Sequence, residues 1–157
     1  MQDIIAQIHK LLLKKQKTIA TAESCSGGLL SSLLTKMSGS SRYFILGVTT
    51  YSNKAKESIL GIRHSSITKN GAVSAIVASK MAGSVRRIAK TSLGIGITGI
   101  AGPGGGTPQK PVGTVFIAID SPNKQICKRF LFKGDRTTVR RKAASKALEL
   151  LKAILIK

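Results

Sequence analysis

Three segments of the chain bring together side chains and backbone suited to catalysis or anion binding. In Thr21-Ala22-Glu23-Ser24-Cys25-Ser26-Gly27-Gly28 a short apolar run ends in a hydroxyl and passes into small residues. At a strand-to-helix turn this makes Ser24 a candidate nucleophile and the N–H groups of Ser26, Gly27 and Gly28 a candidate oxyanion or phosphate cradle. The same pattern also suits Ser24 or Ser26 as a plain helix N-cap. Cys25 is an alternative nucleophile, although a free cysteine more often serves as a small buried residue.

A serine nucleophile needs a base. The two histidines, His9 and His64, lie outside these segments and suit surface positions. Lysine is the available substitute where burial or neighbouring cations draw its pKa toward neutrality. The second segment, Tyr51-Ser52-Asn53-Lys54-Ala55-Lys56, offers two. Most lysines are solvated, so the segment by itself singles out neither. The Y-x-x-x-K pair of short-chain dehydrogenases fails on register, because Ala55 stands four residues after Tyr51.

The third segment, Gly94-Ile95-Gly96-Ile97-Thr98-Gly99, matches G-x-G-x-x-G. A dinucleotide fingerprint requires a helix to open at the glycines and an acidic residue about 20 residues on. Here a loop containing Gly102, Pro103, Gly104, Gly105 and Gly106 follows, and the only such acid is Asp120. The match is therefore read as fortuitous. Its glycines instead let the backbone lie against a ligand, with Thr98 offering a hydroxyl, or they form a structural strand end before a mobile loop. No G-x-x-x-x-G-K-[ST] sequence is present, which argues against a nucleotide triphosphatase. Asp135-Arg136-Thr137-Thr138-Val139-Arg140-Arg141 opens the last helical pattern. Free N–H groups and guanidinium groups there favour a phosphate, though an exposed basic helix start has the same composition.

The elements that must position these groups follow from periodicity. Ile4, Ile5, Ile8, Leu11 and Leu12 fall at helical spacing, closed by Lys14, Lys15 and Lys17. Residues 18–22 predict a strand, 24–28 a tight turn and 29–37 a helix stopped at Gly39. Residues 43–51 predict a second strand, after which Ser52 or Asn53 caps a short helix. A long helix is expected over 72–89 and a buried strand over 93–100, its glycines marking a close approach to the backbone. The loop 101–110 follows, ordered by itself or by a ligand. Residues 112–120 and 125–133 predict a hairpin around Ser121, Pro122 and Asn123, and Asp135 caps a helix over 136–157. The alternation predicts one domain over 1–157, a three-layer α/β/α sandwich with a mixed, mostly parallel sheet of about five strands. In such sheets ligands gather at the carboxyl ends of strands.

Composition narrows the chemistry. The 157 residues include 26 Lys and Arg against 6 Asp and Glu, a formal charge of +20, so anionic ligands are expected. Two facing carboxylates of the glycosidase kind and recurrent metal-ligand spacings are absent, so no metal site is expected. Two cysteines make no disulfide framework, which suits a reducing cytoplasm. No apolar run reaches the roughly 18 to 20 residues of a membrane span, and residues 1–16 lack the order of a signal peptide. No membrane partner is expected.

Five motifs in order, Ala22-Glu23-Ser24-Cys25-Ser26-Gly27-Gly28, Tyr51-Ser52-Asn53-x-Ala55-Lys56, Gly71-Ala72-Val73-Ser74, Thr98 to Thr107 and Lys110-Pro111-Val112-Gly113-Thr114-Val115, resemble the CinA C-terminal domain family. Its characterised members are nicotinamide mononucleotide deamidases of the PncC type. The resemblance covers essentially the whole chain. It implies hydrolysis of the nicotinamide carboxamide to carboxylate and ammonia in pyridine nucleotide recycling, by a serine and lysine pair without metal or cofactor. By motif the pair is Ser24 and Lys56. Tyr51 and Asn53 are expected to orient the lysine or the carboxamide, and Gly27 and Gly28 to hold the oxyanion. Thr98, Gly99, Gly102, Arg136 and Arg140 are expected around the ribose phosphate. Ser26 stands where the family usually has Thr and keeps the hydroxyl. Longer CinA proteins carry an additional N-terminal domain, for which residues 1–16 leave no room, so a stand-alone deamidase is expected, with a homo-oligomer compatible.

The rival reading is a nucleic-acid-binding module, motivated by the charge. It calls for aromatic platforms, yet the chain has no Trp, and Tyr43, Phe44, Tyr51, Phe116, Phe130 and Phe132 fall mostly at strand positions suited to a core. Nucleic acid is accordingly not the expected partner. A catalytically lapsed scaffold is the third reading, disfavoured because both members of the pair are present.

Overall fold

The computed structural model describes residues 2–156. Five strands, β1 (Ile19–Glu23), β2 (Phe44–Thr49), β3 (Leu93–Gly99), β4 (Thr114–Ser121) and β5 (Lys124–Leu131), form one sheet in the order β2-β1-β3-β4-β5. β1 pairs in parallel with β2 and β3, while the β3–β4 and β4–β5 pairs are antiparallel. The sheet is thus mixed, with its neighbour pairs evenly divided between the two kinds. The predicted hairpin is tighter than expected, with Pro122 and Asn123 alone between its strands.

Side-chain alternation assigns the two faces. Ile19, Leu93, Ile95, Ile97, Val115, Ile117 and Ile119 meet α1 (Gln2–Lys14), α2 (Leu29–Leu34) and α6 (Arg136–Leu155) in the larger core. In α1 the spacing of Ile5, Ile8 and Leu12 delivers all three to this core, each burial being worth about 1.5–3 kcal/mol. The opposite face is built from small residues. Ala20, Ala22 and Ala118 lie there against α5 (Ala75–Ala89), with α3 (Asn53–Leu60) and α4 (His64–Asn70) beside it.

Gly94 and Gly96 face the same helix. A Cβ on Gly94 would stand 2.2 Å from the Ala82 carbonyl oxygen, and one on Gly96 2.3 Å from that of Ala78. The close approach expected at these glycines is therefore made by a helix backbone. The expectation that they admit a ligand is corrected.

Two helices differ from the periodic reading. The helix expected from 72 begins at Ala75, because Ser74 is extended and its hydroxyl accepts the Val77 N–H. Residues 72 and 73 are left as a bend before the helix. α4 was not predicted: it is short, only Ile67 in it is buried, and Arg63 before it makes no side-chain cap. The expected caps Ser52 and Asp135 do close the starts of α3 and α6, accepting N–H bonds from Ala55 and Thr138.

The three parallel strands β2, β1 and β3 share one carboxyl end. After β1 the chain turns to α2 on one face, and after β2 it turns to α3 on the other. The segments singled out for chemistry lie at this end.

Candidate active site

Ser24 follows the last residue of β1, and its N–H donates to the Ile97 carbonyl of β3 at 2.9 Å, which extends the strand pairing to the candidate nucleophile. Lys56 sits in α3, which Ser52 starts directly after β2. The short connection turns the first α3 residues over the end of β1. Lys56 Nζ thereby lies 3.1 Å from Ser24 Oγ, 2.9 Å from the Thr50 carbonyl oxygen and 3.3 Å from that of Tyr51.

This environment shifts Lys56 toward the neutral amine. Lys56 is 1% exposed, and burial draws its pKa below the ordinary lysine range. A neutral amine has two N–H donors and one lone pair. In that form the carbonyls of Thr50 and Tyr51 accept both donors and the lone pair is left for the Ser24 hydroxyl proton, whereas the ammonium form donates to all three oxygens. Cys25 does not compete as nucleophile. Burial, opposed by the N–H groups of Cys25 and Ser26 and reinforced by Glu23, pushes its thiol up to about 12, so it stays protonated and inert at neutral pH.

Ser24 and Lys56 open into a cavity of about 200 Å³. Tyr51, Asn53, Thr98, Gly99 and Arg136 also line it, together with Cys25, Ala72, Val73 and Ala101. Thr98 Oγ1 donates to the Ala72 carbonyl at 2.9 Å, so the predicted hydroxyl offers an incoming group an acceptor and not a donor. The Asn53 side-chain amide makes no hydrogen bond within the described residues, leaving it available to a carboxamide. Tyr51 is 57% exposed and its hydroxyl accepts a 2.6 Å bond from Arg136. It is the Tyr51 carbonyl, and not its phenol, that orients Lys56. Arg136 also donates to the Gly102 carbonyl, which ties the Pro/Gly loop to α6. That loop is further held by Lys110 Nζ on the Asn70 carbonyl and by the paired backbone of Ile100 with Gly113 and Thr114.

The expected cradle is corrected. Gly27 N–H donates to the Ser24 carbonyl, and Gly28 N–H donates to Glu23 Oε2. Neither amide is free for an oxyanion. Ser26 is fully buried, and its carbonyl accepts from Arg140 Nη2 at 3.1 Å. Ser26, Gly27, Gly28, Gly102 and Arg140 therefore stand behind the cavity wall and support it, while Ser24, Lys56, Tyr51, Asn53, Thr98, Gly99 and Arg136 meet inside. In the turn, the N–H groups of Cys25 and Ser26 reach no carbonyl or carboxylate among the described residues and bear instead on the Cys25 sulfur.

A family model for the CinA C-terminal domain matches residues 1–155. The chain belongs to the CinA C-terminal domain family. It is 48% identical over 147 residues to a CinA-like protein of Desulforapulum autotrophicum, covering 93% of this chain and 35% of that protein. It is 44% identical over 155 residues to a CinA-like protein of Thermotoga maritima, covering 99% and 37%. The chain thus spans little more than a third of the length of these curated relatives. Among solved structures it is similar to competence damage-inducible protein A of Klebsiella pneumoniae, with TM-score 0.95 and 32% identity over 99% of this chain and 96% of that one. The competence/damage inducible protein of Agrobacterium tumefaciens gives TM-score 0.95 and 34% identity over 99% and 95%.

Within this CinA-family site the sequence reading missed Glu23, Ala72, Val73 and Ala101. Ser74 as an N-cap was the local signal that 72 and 73 precede the helix. The signal for Glu23 was a carboxylate at the end of an apolar strand, immediately before a helix start that attracts negative charge. Among the described residues no three His, Cys, Asp or Glu side chains are arranged to hold a metal ion, and no helix is long and apolar enough to cross a membrane.

Proposed function

We propose that the chain is a nicotinamide mononucleotide deamidase, releasing ammonia and nicotinate mononucleotide in pyridine nucleotide recycling. The observation that carries this reading is the buried Lys56 amine, 3.1 Å from Ser24 Oγ with two carbonyls taking its other contacts. Ser24 Oγ attacks the carboxamide carbon as its proton passes to Lys56 Nζ. The tetrahedral oxyanion is met by the N–H group of Cys25, which lines the cavity beside Ser24 and turns to the developing charge from its own sulfur. Lys56 then returns the proton to the amide nitrogen, the C–N bond breaks and ammonia leaves. Water attacks the acyl ester, giving its proton to Lys56, and the carboxylate product departs as Ser24 regains its hydrogen. No step calls for a metal or redox group.

The cavity supports a division of the substrate. Pockets that enclose a drug-sized ligand measure about 300–1,000 Å³. One of about 200 Å³ takes the nicotinamide ring, with Asn53 toward the carboxamide, and leaves the ribose phosphate at the mouth. There Arg136 uses two N–H groups within the chain, and its remaining donors face the anion. Free Cys25 and Cys127 fit action in the reducing cytoplasm.

The test is ammonia release from nicotinamide mononucleotide by wild type, Ser24→Ala and Lys56→Met. Each single change is expected to lower turnover by at least about 10³-fold, with the double variant little worse, since the two act as a unit. Full activity in Ser24→Ala eliminates the mechanism.

A further inference from the structure

Glu23 is the last residue of β1 and fully buried, on the face that meets α2. Its Oε2 accepts the N–H groups of Gly28 and Leu30, both at 3.1 Å. Its Oε1 accepts the Ser31 N–H at 2.8 Å and the Ser31 hydroxyl at 2.6 Å. All four partners are donors, the pattern of an ionised carboxylate. Its backbone carbonyl accepts the Thr50 N–H at 2.9 Å, joining the ends of β1 and β2 just ahead of the nucleophile. One residue therefore fixes β1, the start of α2 and the strand end that leads to Lys56.

We propose that Glu23 is a positioning residue for Ser24, an internal anion that occupies the start of α2 so that the turn is rigid and holds the Ser24 hydroxyl against Lys56. This rests on the Ser24 and Lys56 reading above. Two consequences follow from the chemistry. With Gly28, Leu30 and Ser31 engaged from within, a substrate phosphate has no place at the start of α2 and must go to the Arg136 side. Loss of the carboxylate strands buried N–H donors and releases the turn, and a misplacement of about 1 Å at a reacting group costs about 10²-fold in rate.

The experiment compares wild type, Glu23→Gln, Glu23→Ala and Ser31→Ala in two assays, deamidation kinetics and the rate at which a fluorophosphonate labels Ser24. Folding is followed by near-ultraviolet circular dichroism. Glu23→Gln turns an NH₂ group toward amide donors and is expected to lower kcat by about 10²-fold with KM within about threefold, slowing labelling alike. Formate, refilling the carboxylate's place, is expected to restore part of both rates in Glu23→Ala and to leave wild type unchanged. A folded Glu23→Gln protein with wild-type kcat and labelling, or with its loss confined to KM or thermal stability, overturns the proposal. Should that variant not fold, Ser31→Ala, which removes one donor, decides: reduced kcat and labelling at unchanged KM support it, and unchanged rates overturn it. If wild type labels but releases no ammonia, the substrate assignment fails while the labelling rates still judge Glu23. If wild type does not label, both readings fall.

Discussion

Arg136 Nη2 and the Tyr51 hydroxyl meet at 2.6 Å across the mouth of the cavity, joining the first turn of α6 to the segment between β2 and α3. The contact holds two walls together, and it brings a guanidinium to the place where the substrate phosphate is proposed to sit. Charge-assisted hydrogen bonds of this kind are worth about 1.5–3 kcal/mol. Arg136→Ala is expected to raise KM for nicotinamide mononucleotide by about 10- to 100-fold with a smaller change in kcat. Arg136→Lys should recover only part, because an ammonium lacks the planar fork. Steady-state rates decide; a variant with unchanged KM contradicts the assignment.

The second expectation concerns pH. As the proposed base, Lys56 acts only when neutral, and burial draws its pKa below 10.5. kcat/KM should therefore climb about tenfold per pH unit on the acid side and level off once Lys56 has lost its proton. Lys56→Arg, which keeps its charge at every accessible pH, should abolish turnover. A profile that is flat from mildly acid to alkaline pH speaks against Lys56 as base.

Stability carries the same signature. Because the folded chain lowers the Lys56 pKa, the unfolded chain binds the extra proton more tightly between the lowered value and about 10.4. Stability should rise with pH across that window, reach its full value above the unfolded pKa and be lost as pH falls through the folded one. Lys56→Met lacks this contribution. Urea melts of both proteins over a pH series should show the difference shifting in favour of wild type as pH rises. Parallel curves would count against a buried, shifted amine.

Gly96 supplies a packing test. An added Cβ would stand 2.3 Å from the Ala78 carbonyl and 2.7 Å from the Ala82 N–H group, both backbone atoms of α5. Gly96→Ala is expected to destabilise by about 1–3 kcal/mol. Gly104→Ala, with nothing within 4 Å of the new methyl, should be close to neutral. Denaturant midpoints measure both, and equal stabilities would refute the close contact of α5 with β3.

Much of the fold was legible because it depends on local rules. The apolar spacing of Ile5, Ile8 and Leu12 marks one face of α1 whatever it packs against. Ser52 and Asp135 cap the helices that follow them because the capping hydroxyl and carboxylate act within a few residues. α4 escaped because its seven residues present one buried side chain and no side-chain cap. The helix expected from 72 started late because its periodicity says nothing of its first turn, which Ser74 decides.

The amino-acid sequence alone determined which groups were available: one serine in a turn of small residues, lysines after a strand, arginines at a helix start and few competing acids or histidines. Tertiary structure decided which of them act together. Lys56 and Ser24 are 32 residues apart and become partners only when β2 and α3 fold against β1, and burial there separates Lys56 from its solvated neighbours. The fate of the turn amides was decided in the same way. A carboxylate's position in sequence does not specify the N–H groups it will reach, and only the folded turn shows Glu23 taking those of Gly28, Leu30 and Ser31.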